Sequence, residues 1–402
     1  MRLLVLTNIY PPQELGGYGR AMADFVWSLK QLGHNIQVIC GDESYLGASE
    51  IHGPSGETVS RILQLKGTYK DGVKPLENIT IANEINRLNI TSIQSICKKE
   101  AGFQGVLVGN LDLLGLEVLQ PLLQQKIPIL HHIGFVNPPF AKNMLPKEDS
   151  YQMVAASKAV ADALKIAGLI NPNKRDAAVV YPGVRCELFG REATGRSLPA
   201  PLNGMDEISR LGTPKHPLKV CFAGLLMGSK GAHTLIQALI LMKQRGFWVQ
   251  GYLAGASFQA GYREQLEIML KQNDLADVQF IGQLSRNSLA RCFSLHHVCV
   301  FPSIYPEAFG IVAAEAMASG LALVSSGVGG ACELFEDKSS GLLFKPNDIN
   351  DLAAKLELIC ANTSYLKKLA KTGEAHARST LNVLESAKNL EQLMLKSINE
   401  LG

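Results

Sequence analysis

Two glutamates lie eight residues apart in a segment that could bind hydroxyl groups. Glu307 follows Pro306 after an apolar run, and Glu315 falls about two turns into a helix expected to begin near Phe309 and to close at Gly320. The rest of this helix is apolar, so a carboxylate on it needs hydrogen-bond partners. Neighbouring hydroxyls of a sugar are suitable, because one carboxylate can accept from both. Partners inside the protein are the alternative.

A lysine precedes a second helix in the same half of the chain. Lys230 follows the loop Gly224–Ser229 and precedes Gly231, and the next helix is predicted to begin near Ala232. A lysine combined with the positive end of a helix suits a diphosphate. The spacing differs from a Walker A loop, which needs G-x-x-x-x-G-K-[ST]. A surface lysine without a ligand is the alternative.

A glycine-bearing loop follows the first apolar run of the chain. Gly16 and Gly17 precede a helix that carries Arg20. Glycines allow backbone N–H groups to approach a phosphate, and the helix adds its positive end. The third glycine of the dinucleotide pattern G-x-G-x-x-G is missing, which argues against an NAD site.

The elements that must position these residues alternate along the whole chain. Short, continuously apolar runs are separated by amphipathic segments, a pattern typical of parallel strands buried on both faces and joined by helices. The fold class is therefore doubly wound α/β. A stretch rich in Pro and Gly divides it, which predicts an N-terminal Rossmann-like, acceptor-binding domain at 1–190, a linker at 191–217 and a C-terminal donor-binding domain at 218–380. The C-terminal helix, about 381–402, is expected to pack back on the first domain, and the ligand is expected in a cleft between the domains.

Composition excludes several other classes. The 402 residues are 47% hydrophobic and 19% charged, as in a globular protein with a large core. Basic and acidic residues number 39 and 36, so the net charge of +3 gives no electrostatic footprint for nucleic acid. No run of 18 apolar residues is present, so no membrane span is expected. The eight cysteines include no C-x-x-C pair, which is typical of reduced thiols in a cytoplasmic protein.

Together these segments resemble the retaining glycosyltransferases of family 4 (glycosyl transferases group 1), which have the GT-B fold. Glu307 and Glu315 match the E-x7-E motif of that family. Further matching segments are Gly16-Gly17, Val154–Ser157, Tyr181–Val184, Gly329-Gly330 with Glu333, Gly341–Leu343, and Asp348. The resemblance implies transfer of a sugar from a UDP-, GDP- or ADP-sugar to a hydroxyl of a glycan, lipid or small molecule, with retention of anomeric configuration. It implies no catalytic metal and no cofactor, and the chain has no D-x-D triplet.

The resemblance also assigns roles to residues. Glu315 would hold the ribose hydroxyls, Leu284 would lie against the base, and Lys230 with Gly16-Gly17 would neutralise the leaving diphosphate. The implied catalytic residues are Glu307, Lys230 and His132. The implied donor-binding residues are Gly16, Gly17, Arg20, Lys230, Leu284, Glu307, Phe309, Gly310, Ile311, Val312 and Glu315, with the Phe309–Val312 contribution coming from backbone.

Two positions depart from that family. Leu225 stands where the family usually has a phosphate-binding arginine. Either Arg20 or a residue outside the motif is expected to substitute for it, or backbone amides are expected to hold more of the diphosphate. Gly134 falls at the usual place of a histidine near the reacting sugar, and His131 and His132 come slightly earlier. Because a strand alternates its faces, one of the two histidines at most would point toward a ligand, and His132 is favoured. A packed or surface histidine pair is the alternative.

The acceptor is expected to contact loops of the first domain, at about 43–100 and 135–150, including Tyr69. A lipid-linked acceptor would bring the protein to the inner face of a membrane, and the expected location is otherwise cytoplasmic, without a nucleic-acid partner. Two other functions stay open at this point. One is a GT-B-fold nucleotide-sugar epimerase, and the other is a homologue that binds nucleotide sugars without turnover.

Overall fold

The computed structural model describes residues 1–49, 51–70, 72–99, 102–170, 177–190 and 210–401. Its strands, in chain order, are β1 (Arg2–Thr7), β2 (Asn35–Gly41), β3 (Thr58–Leu63), β4 (Gly67–Thr68), β5 (Lys74–Pro75), β6 (Gly105–Val108), β7 (Ile129–Ile133), β8 (Tyr151–Ala155), β9 (Ala178–Val179), β10 (Leu218–Ala223), β11 (Val249–Ala254), β12 (Val278–Gly282), β13 (Val298–Phe301), β14 (Ala322–Ser325) and β15 (Leu342–Leu343). Its α-helices are α1 (Tyr18–Gln31), α2 (Ile79–Lys99), α3 (Gln120–Gln124), α4 (Lys158–Ile166), α5 (Cys186–Phe189), α6 (Ala232–Gln244), α7 (Tyr262–Gln272), α8 (Arg286–Phe293), α9 (Ile311–Ala318), α10 (Ile349–Ala361), α11 (Thr363–Thr380) and α12 (Val383–Leu401).

The chain divides into two compact units, and the first comprises Met1–Gly183 and Val383–Gly402. Its sheet has the order β3-β2-β1-β6-β7-β8-β9, and all of its strand pairs are parallel. β1 is the third of the seven strands, with a neighbour on each side, and its Leu3, Leu4 and Val5 are all buried. Successive side chains of a strand point to opposite faces, so helices must cover both faces of this sheet. β4 and β5 form a separate antiparallel hairpin.

The C-terminal helix α12 belongs to this first unit. Leu390 and Met394 of α12 share one hydrophobic core with Met22 and Phe25 of α1. A Cβ at Gly105, the first residue of β6, would lie 2.3 Å from the Met394 Sδ atom. The missing side chain at this glycine therefore allows α12 to approach the sheet closely.

The second unit comprises Val184–Asn382. Its sheet has the order β12-β11-β10-β13-β14-β15 and is also entirely parallel. Val220 of β10 pairs with Val298 of β13, and both are buried in the core of this unit. Of the predicted linker, residues 191–209 lie outside the described residues, and Leu211 is buried in the same core.

Both sheets confirm the predicted doubly wound α/β class. One predicted boundary is wrong by two residues, because α9 begins at Ile311 rather than near Phe309. Gly310 has a φ of +112°, which is outside the helical region, so the helix cannot include it. Among the described residues, no helix combines the length and the apolar character that a bilayer span requires.

Candidate functional site

The carboxyl edge of the second sheet brings a lysine and a glutamate into contact. Lys230 lies between β10 and α6, and Glu307 lies between β13 and α9, after two strands that are neighbours in the sheet. Lys230 Nζ donates a hydrogen bond of 2.6 Å to Glu307 Oε1. Ser303 Oγ donates to the same oxygen at 2.5 Å. One carboxylate oxygen therefore accepts from a cation and from a hydroxyl; we call these three residues the lysine–glutamate site.

A glycine allows the two loops of this site to touch. Gly231 has a φ of +70°, and a Cβ there would lie 1.9 Å from the carbonyl oxygen of Pro302. Any side chain at this position would collide with the backbone of the neighbouring loop. The N–H of Ile304 also donates to the carbonyl oxygen of Ser229 at 2.9 Å, which joins the same loops a second time. These contacts fix the backbone on both sides of Lys230.

The backbone of Glu307 is held by the loop that follows β14. Its N–H donates to the carbonyl oxygen of Val328 at 3.2 Å, and its own carbonyl oxygen accepts from the N–H of Gly330 at 2.7 Å. Gly329 has a φ of +64°, and a Cβ there would lie 2.5 Å from the Glu307 carbonyl oxygen. The glycine pair thus permits a close backbone approach that orients the glutamate.

Helix α9 begins beside this glutamate. Within its first turn, the N–H groups of Ala313 and Ala314 donate to the carbonyl oxygen of Gly310 at 3.0 and 3.1 Å. The N–H groups of Ile311 and Val312 precede the first bonds of the helix and carry its positive partial charge. The amino-terminal end of α9 is thus suited to an anion, as is that of α6 beside Lys230.

A second ion pair joins α9 to the preceding helix, α8. The side chain of Glu315 on α9 is completely buried, and its Oε1 atom is 3.2 Å from an Nη atom of Arg286. The Arg286 guanidinium lies over the ring of Phe189, 5.4 Å from its centroid. An arginine partner is what allows a carboxylate to stay buried on an otherwise apolar helix.

The arrangement can therefore bind an anion next to a group that carries hydroxyls. Lys230 and two helix ends supply positive potential, and Glu307 supplies a hydrogen-bond acceptor a few ångströms away. Among the described residues, no group of three or more His, Cys, Asp or Glu side chains could hold a metal ion.

Comparison with known proteins finds relatives of the second unit. Residues 206–376 match the family model described as Glycosyl transferases group 1. This part of the chain is therefore similar to the glycosyl transferases group 1. A D-inositol 3-phosphate glycosyltransferase from Nocardiopsis dassonvillei is 30% identical over 208 residues, which are 50% of this chain and 46% of that relative. The chain therefore spans about half the length of this curated relative.

Solved structures show the same fold over nearly the whole chain. Sucrose-phosphate synthase from Thermosynechococcus elongatus has a TM-score of 0.75 at 21% identity, covering 98% of this chain and 99% of that one. HepE from Anabaena, solved in complex with UDP and glucose, has a TM-score of 0.73 at 17% identity, covering 98% and 100%. The fold of the chain is therefore GT-B, as the sequence predicts.

Three predicted residues of the first unit, Gly16, Gly17 and Arg20, lie in the loop from β1 to α1 and in the first turn of α1. Gly16 has a φ of +67°, and Gly17 directly precedes α1. Arg20 Nε forms an ion pair of 2.6 Å with Glu14 Oε2. The expected substitution of Arg20 for the arginine that is missing at Leu225 stays a prediction, and it requires Arg20 to exchange this partner for a phosphate.

His131 and His132 are both buried in β7. His132 Nε2 lies 2.9 Å from the carbonyl oxygen of Val180, and its Nδ1 lies 3.0 Å from Tyr18 Oη. His131 Nδ1 lies 2.7 Å from Tyr151 Oη. Burial lowers the pKa of His132 to about 4 and that of His131 to about 3, so both rings are neutral. These contacts are those of a packed histidine pair, and a catalytic role of His132 stays a prediction.

The remaining donor residues lie in the second unit. Leu284 is half-buried between β12 and α8, and Phe309 is buried. Ser303 and Arg286 were not predicted from the sequence as site residues. Both had a local signal, because Ser303 precedes Glu307 by four residues and Arg286 follows Leu284 by two, at the start of α8.

Proposed function

We propose that this protein transfers a sugar from a nucleotide diphosphate sugar to an acceptor hydroxyl, with retention of configuration at the anomeric carbon. The observation that carries the proposal is the contact between Lys230 and Glu307 where two helices begin. A cation at helix N-termini suits a diphosphate, and a carboxylate suits sugar hydroxyls. A nucleotide diphosphate sugar carries a diphosphate and sugar hydroxyls next to each other.

Donor binding would exchange the partners within the lysine–glutamate site. The diphosphate takes the charge of Lys230, and Glu307 then accepts hydrogen bonds from the sugar in place of the lysine. Ser303 Oγ keeps its bond to the carboxylate and holds it in orientation. The backbone bonds of Glu307 to Val328 and Gly330 do not change, so the site loses little conformational freedom when it binds.

The chemical step follows from the same charges. The bond from the anomeric carbon to the diphosphate oxygen breaks, and a bond to the acceptor oxygen forms on the same face of the sugar. The acceptor's proton passes to the departing phosphate oxygen. Lys230 and the N–H groups at the start of α9 stabilise the negative charge that grows on the leaving group. In this proposal neither Glu307 nor Glu315 acts as a nucleophile, since each carboxylate accepts hydrogen bonds from hydroxyl groups of the donor.

The other contacts with the donor carry over from the resemblance as part of this proposal. The backbone of Phe309–Val312 would bind phosphate and sugar, and Leu284 would lie against the base. Glu315 would bind the ribose hydroxyls once Arg286 turns aside, because the two side chains now contact each other. The UDP found in HepE makes UDP-sugars the first donors to test. Glycans, lipid-linked sugars and small molecules are the acceptor classes to test.

Incubation with UDP-, GDP- and ADP-sugars in the presence of EDTA tests the proposal. We expect transfer or slow donor hydrolysis by the wild-type protein, with a product whose anomeric configuration, read by NMR, matches that of the donor. Lys230→Ala should remove this activity. Lys243→Ala, at the other end of α6 and paired with Asp274, is the matched control. An epimerised donor, or binding without turnover, would contradict the proposal.

A further inference from the structure

An open groove of about 560 Å³ lies at the start of β10 in the second unit. Its lining residues all belong to the segment that leads into this strand, and they are Arg210, Thr213, Pro214, Lys215 and His216. We call these five residues the basic groove. Lys230 of the lysine–glutamate site follows the other end of β10, so the six residues of this strand, about 20 Å, separate the two. The basic groove is therefore distinct from the site described above.

The volume of the basic groove indicates the size of its ligand. Protein pockets that bind small molecules have volumes of about 300–1,000 Å³, and this groove falls within that range. A water molecule takes about 30 Å³ in the liquid, so an inorganic phosphate ion alone would leave most of the groove to solvent. A molecule of the size of a substituted monosaccharide fits the volume better.

The charge of the basic groove indicates an anion. Arg210 and Lys215 are exposed and carry positive charges, and His216 adds a ring that can take up a proton. The lining contains no Asp or Glu. Neither Arg210 nor Lys215 forms an ion pair with the part of the chain that the structure describes. Their positive potential is therefore available to a ligand.

Neighbouring cations at the same edge of the sheet are paired with acids. Helix α6 connects the carboxyl end of β10 to the amino end of β11, so its last turn lies at the amino edge, where β10 also begins. There Lys243 Nζ is 3.1 Å from Asp274 Oδ2, and Arg245 Nη1 is 2.7 Å from Glu357 Oε1. Acidic partners neutralise these two cations, which sets the basic groove apart from the rest of the edge.

Two backbone hydrogen bonds fix the turn that forms the basic groove. The N–H of Thr213 donates to the carbonyl oxygen of His216 at 3.2 Å, and the N–H of His216 donates to that of Thr213 at 3.1 Å. The N–H of His216 also lies 3.2 Å from Thr213 Oγ1, which accepts from it. Within the described residues the hydroxyl proton of Thr213 has no acceptor, so it can donate to an oxyanion.

An exposed tryptophan is bonded to both ends of this turn. The N–H of Trp248 donates to the carbonyl oxygen of Gly212 at 2.9 Å, and its own carbonyl oxygen accepts from the N–H of Leu218 at 2.9 Å. Gly212 and Leu218 flank the segment that lines the groove. The Trp248 side chain is 53% exposed, and an indole is a large flat surface with an apolar body. Such a surface suits the C–H face of a sugar ring.

We propose that the basic groove binds a sugar that carries a phosphate group. A phosphate monoester has a charge of about −1.5 to −2 at pH 7, which the two cations Arg210 and Lys215 match. The hydroxyl of Thr213 donates to a phosphate oxygen, and the sugar ring packs against Trp248. This site lies outside the function proposed above and does not depend on it.

Calorimetric titration of the full chain with sugar phosphates tests this binding. The probes are the 6-phosphates of glucose, galactose and mannose, and the controls are the three parent sugars and inorganic phosphate. We expect at least one sugar phosphate to bind. Its parent sugar and inorganic phosphate should each bind at least about tenfold more weakly, because each lacks one part of the ligand.

Variants locate the binding within the chain. Arg210→Gln combined with Lys215→Gln should lower the affinity for the sugar phosphate at least about tenfold, because both cations are lost. Lys243→Gln removes one charge from the same edge, and Lys230→Ala removes the cation of the lysine–glutamate site. Both should bind the sugar phosphate as the wild type does. Trp248→Ala should weaken the sugar phosphate about fivefold and leave inorganic phosphate unchanged. The thermal unfolding midpoint of each variant controls for damage to the fold.

Four results would overturn the proposal. The first two are no binding of any sugar phosphate, and binding of inorganic phosphate as tight as that of the sugar phosphates. The third is an affinity that the combined Arg210 and Lys215 substitutions leave unchanged. The fourth is an affinity that Lys230→Ala lowers as much as they do, since the ligand would then bind at the lysine–glutamate site. UDP titration of the wild type tests the proposed function separately, and its outcome does not alter these four.

Discussion

The carboxyl edges of the two sheets have the same topology and opposite chemistry. In the second unit, the edge carries opposite charges held in pairs, Lys230 with Glu307 and Arg286 with Glu315. In the first unit, Asn8 and Tyr69 hydrogen-bond to the carboxylate of Asp112, which forms no ion pair among the described residues. One architecture therefore carries ion pairs at this edge in one unit and a hydrogen-bond network around a single carboxylate in the other.

This difference shows that the fold can place cations beside the carboxylates at the edge of one sheet, and a carboxylate without an ion pair among the described residues at the edge of the other. A nucleotide diphosphate sugar, the donor in the proposed function, needs cations and helix ends, which are present in the second unit. The expectation that Gly16, Gly17 and Arg20 also contact the diphosphate adds a cation from the first unit, and Arg20 is at present paired with Glu14.

The largest effect is expected from removing the cation of the lysine–glutamate site. Lys230→Ala should lower kcat about 10²- to 10³-fold, or about 3–4 kcal/mol of transition-state stabilisation, because the leaving diphosphate loses its cationic partner. Steady-state kinetics with the preferred donor measures this. Lys243→Ala should retain wild-type kcat. Equal rates for Lys230→Ala and the wild type would remove the contrast between the two edges.

The next effect tests whether a glycine creates the contact between the two loops. Gly231→Ala should destabilise the second unit by at least about 2 kcal/mol more than Gly246→Ala, since only the former brings a Cβ against a backbone oxygen. Both residues flank α6 and both have positive φ, +70° and +85°, so the conformational cost of about 1 kcal/mol is shared. Urea midpoints of the two variants give the comparison. Equal midpoints would mean that the loops can move apart without cost.

A smaller effect concerns acid sensitivity of the first unit. His132 has a pKa of about 4 in the fold against an ordinary 6.5, so the unfolded chain binds more protons between these values. The neutral His132 ring therefore makes its full contribution to the free energy of unfolding above pH 6.5. As the pH falls toward 4 this contribution is lost, and the free energy of unfolding is lower by about 1–2 kcal/mol at pH 5. His132→Gln should therefore show a smaller stability loss between pH 7 and pH 5. The exposed His52→Gln should behave as wild type, and identical losses in all three proteins would refute a neutral, buried His132.

The smallest effect is expected at the hydroxyl that orients Glu307. Ser303→Ala removes one of the two hydrogen bonds to Glu307 Oε1, which is worth about 1 kcal/mol, so the donor KM should rise about fivefold with little change in kcat. The thermal unfolding midpoint controls for damage to the fold, since Ser303 is buried. A lower kcat at constant KM would instead place Ser303 in the chemical step.

Much of the fold could be predicted because its signals are local. The continuous apolar run near the start of the chain predicts β1. The glycine at position 231 marks the start of α6 at Ala232. The start of α9 was misplaced by two residues because sequence alone does not reveal the positive φ of Gly310.

The contacts of the sites could be predicted less well, because they join distant parts of the chain. Lys230 and Glu307 are 77 residues apart and Asn8 and Asp112 are 104 apart, so no spacing rule connects either pair. The resemblance places Lys230 and Glu307 in one site, but no motif covers Asn8 and Asp112. His132 was favoured from strand alternation, yet β7 is covered on both faces, and both histidines are buried.

Calorimetric titration of UDP, GDP and ADP into the full chain tests the central claim most directly. If the second unit binds the diphosphate through Lys230, one of these nucleotides binds the wild type and Lys243→Ala with equal affinity. The same nucleotide binds Lys230→Ala at least tenfold more weakly. Binding that Lys230→Ala leaves unchanged, or no binding of any of the three to the wild-type protein, would contradict the account.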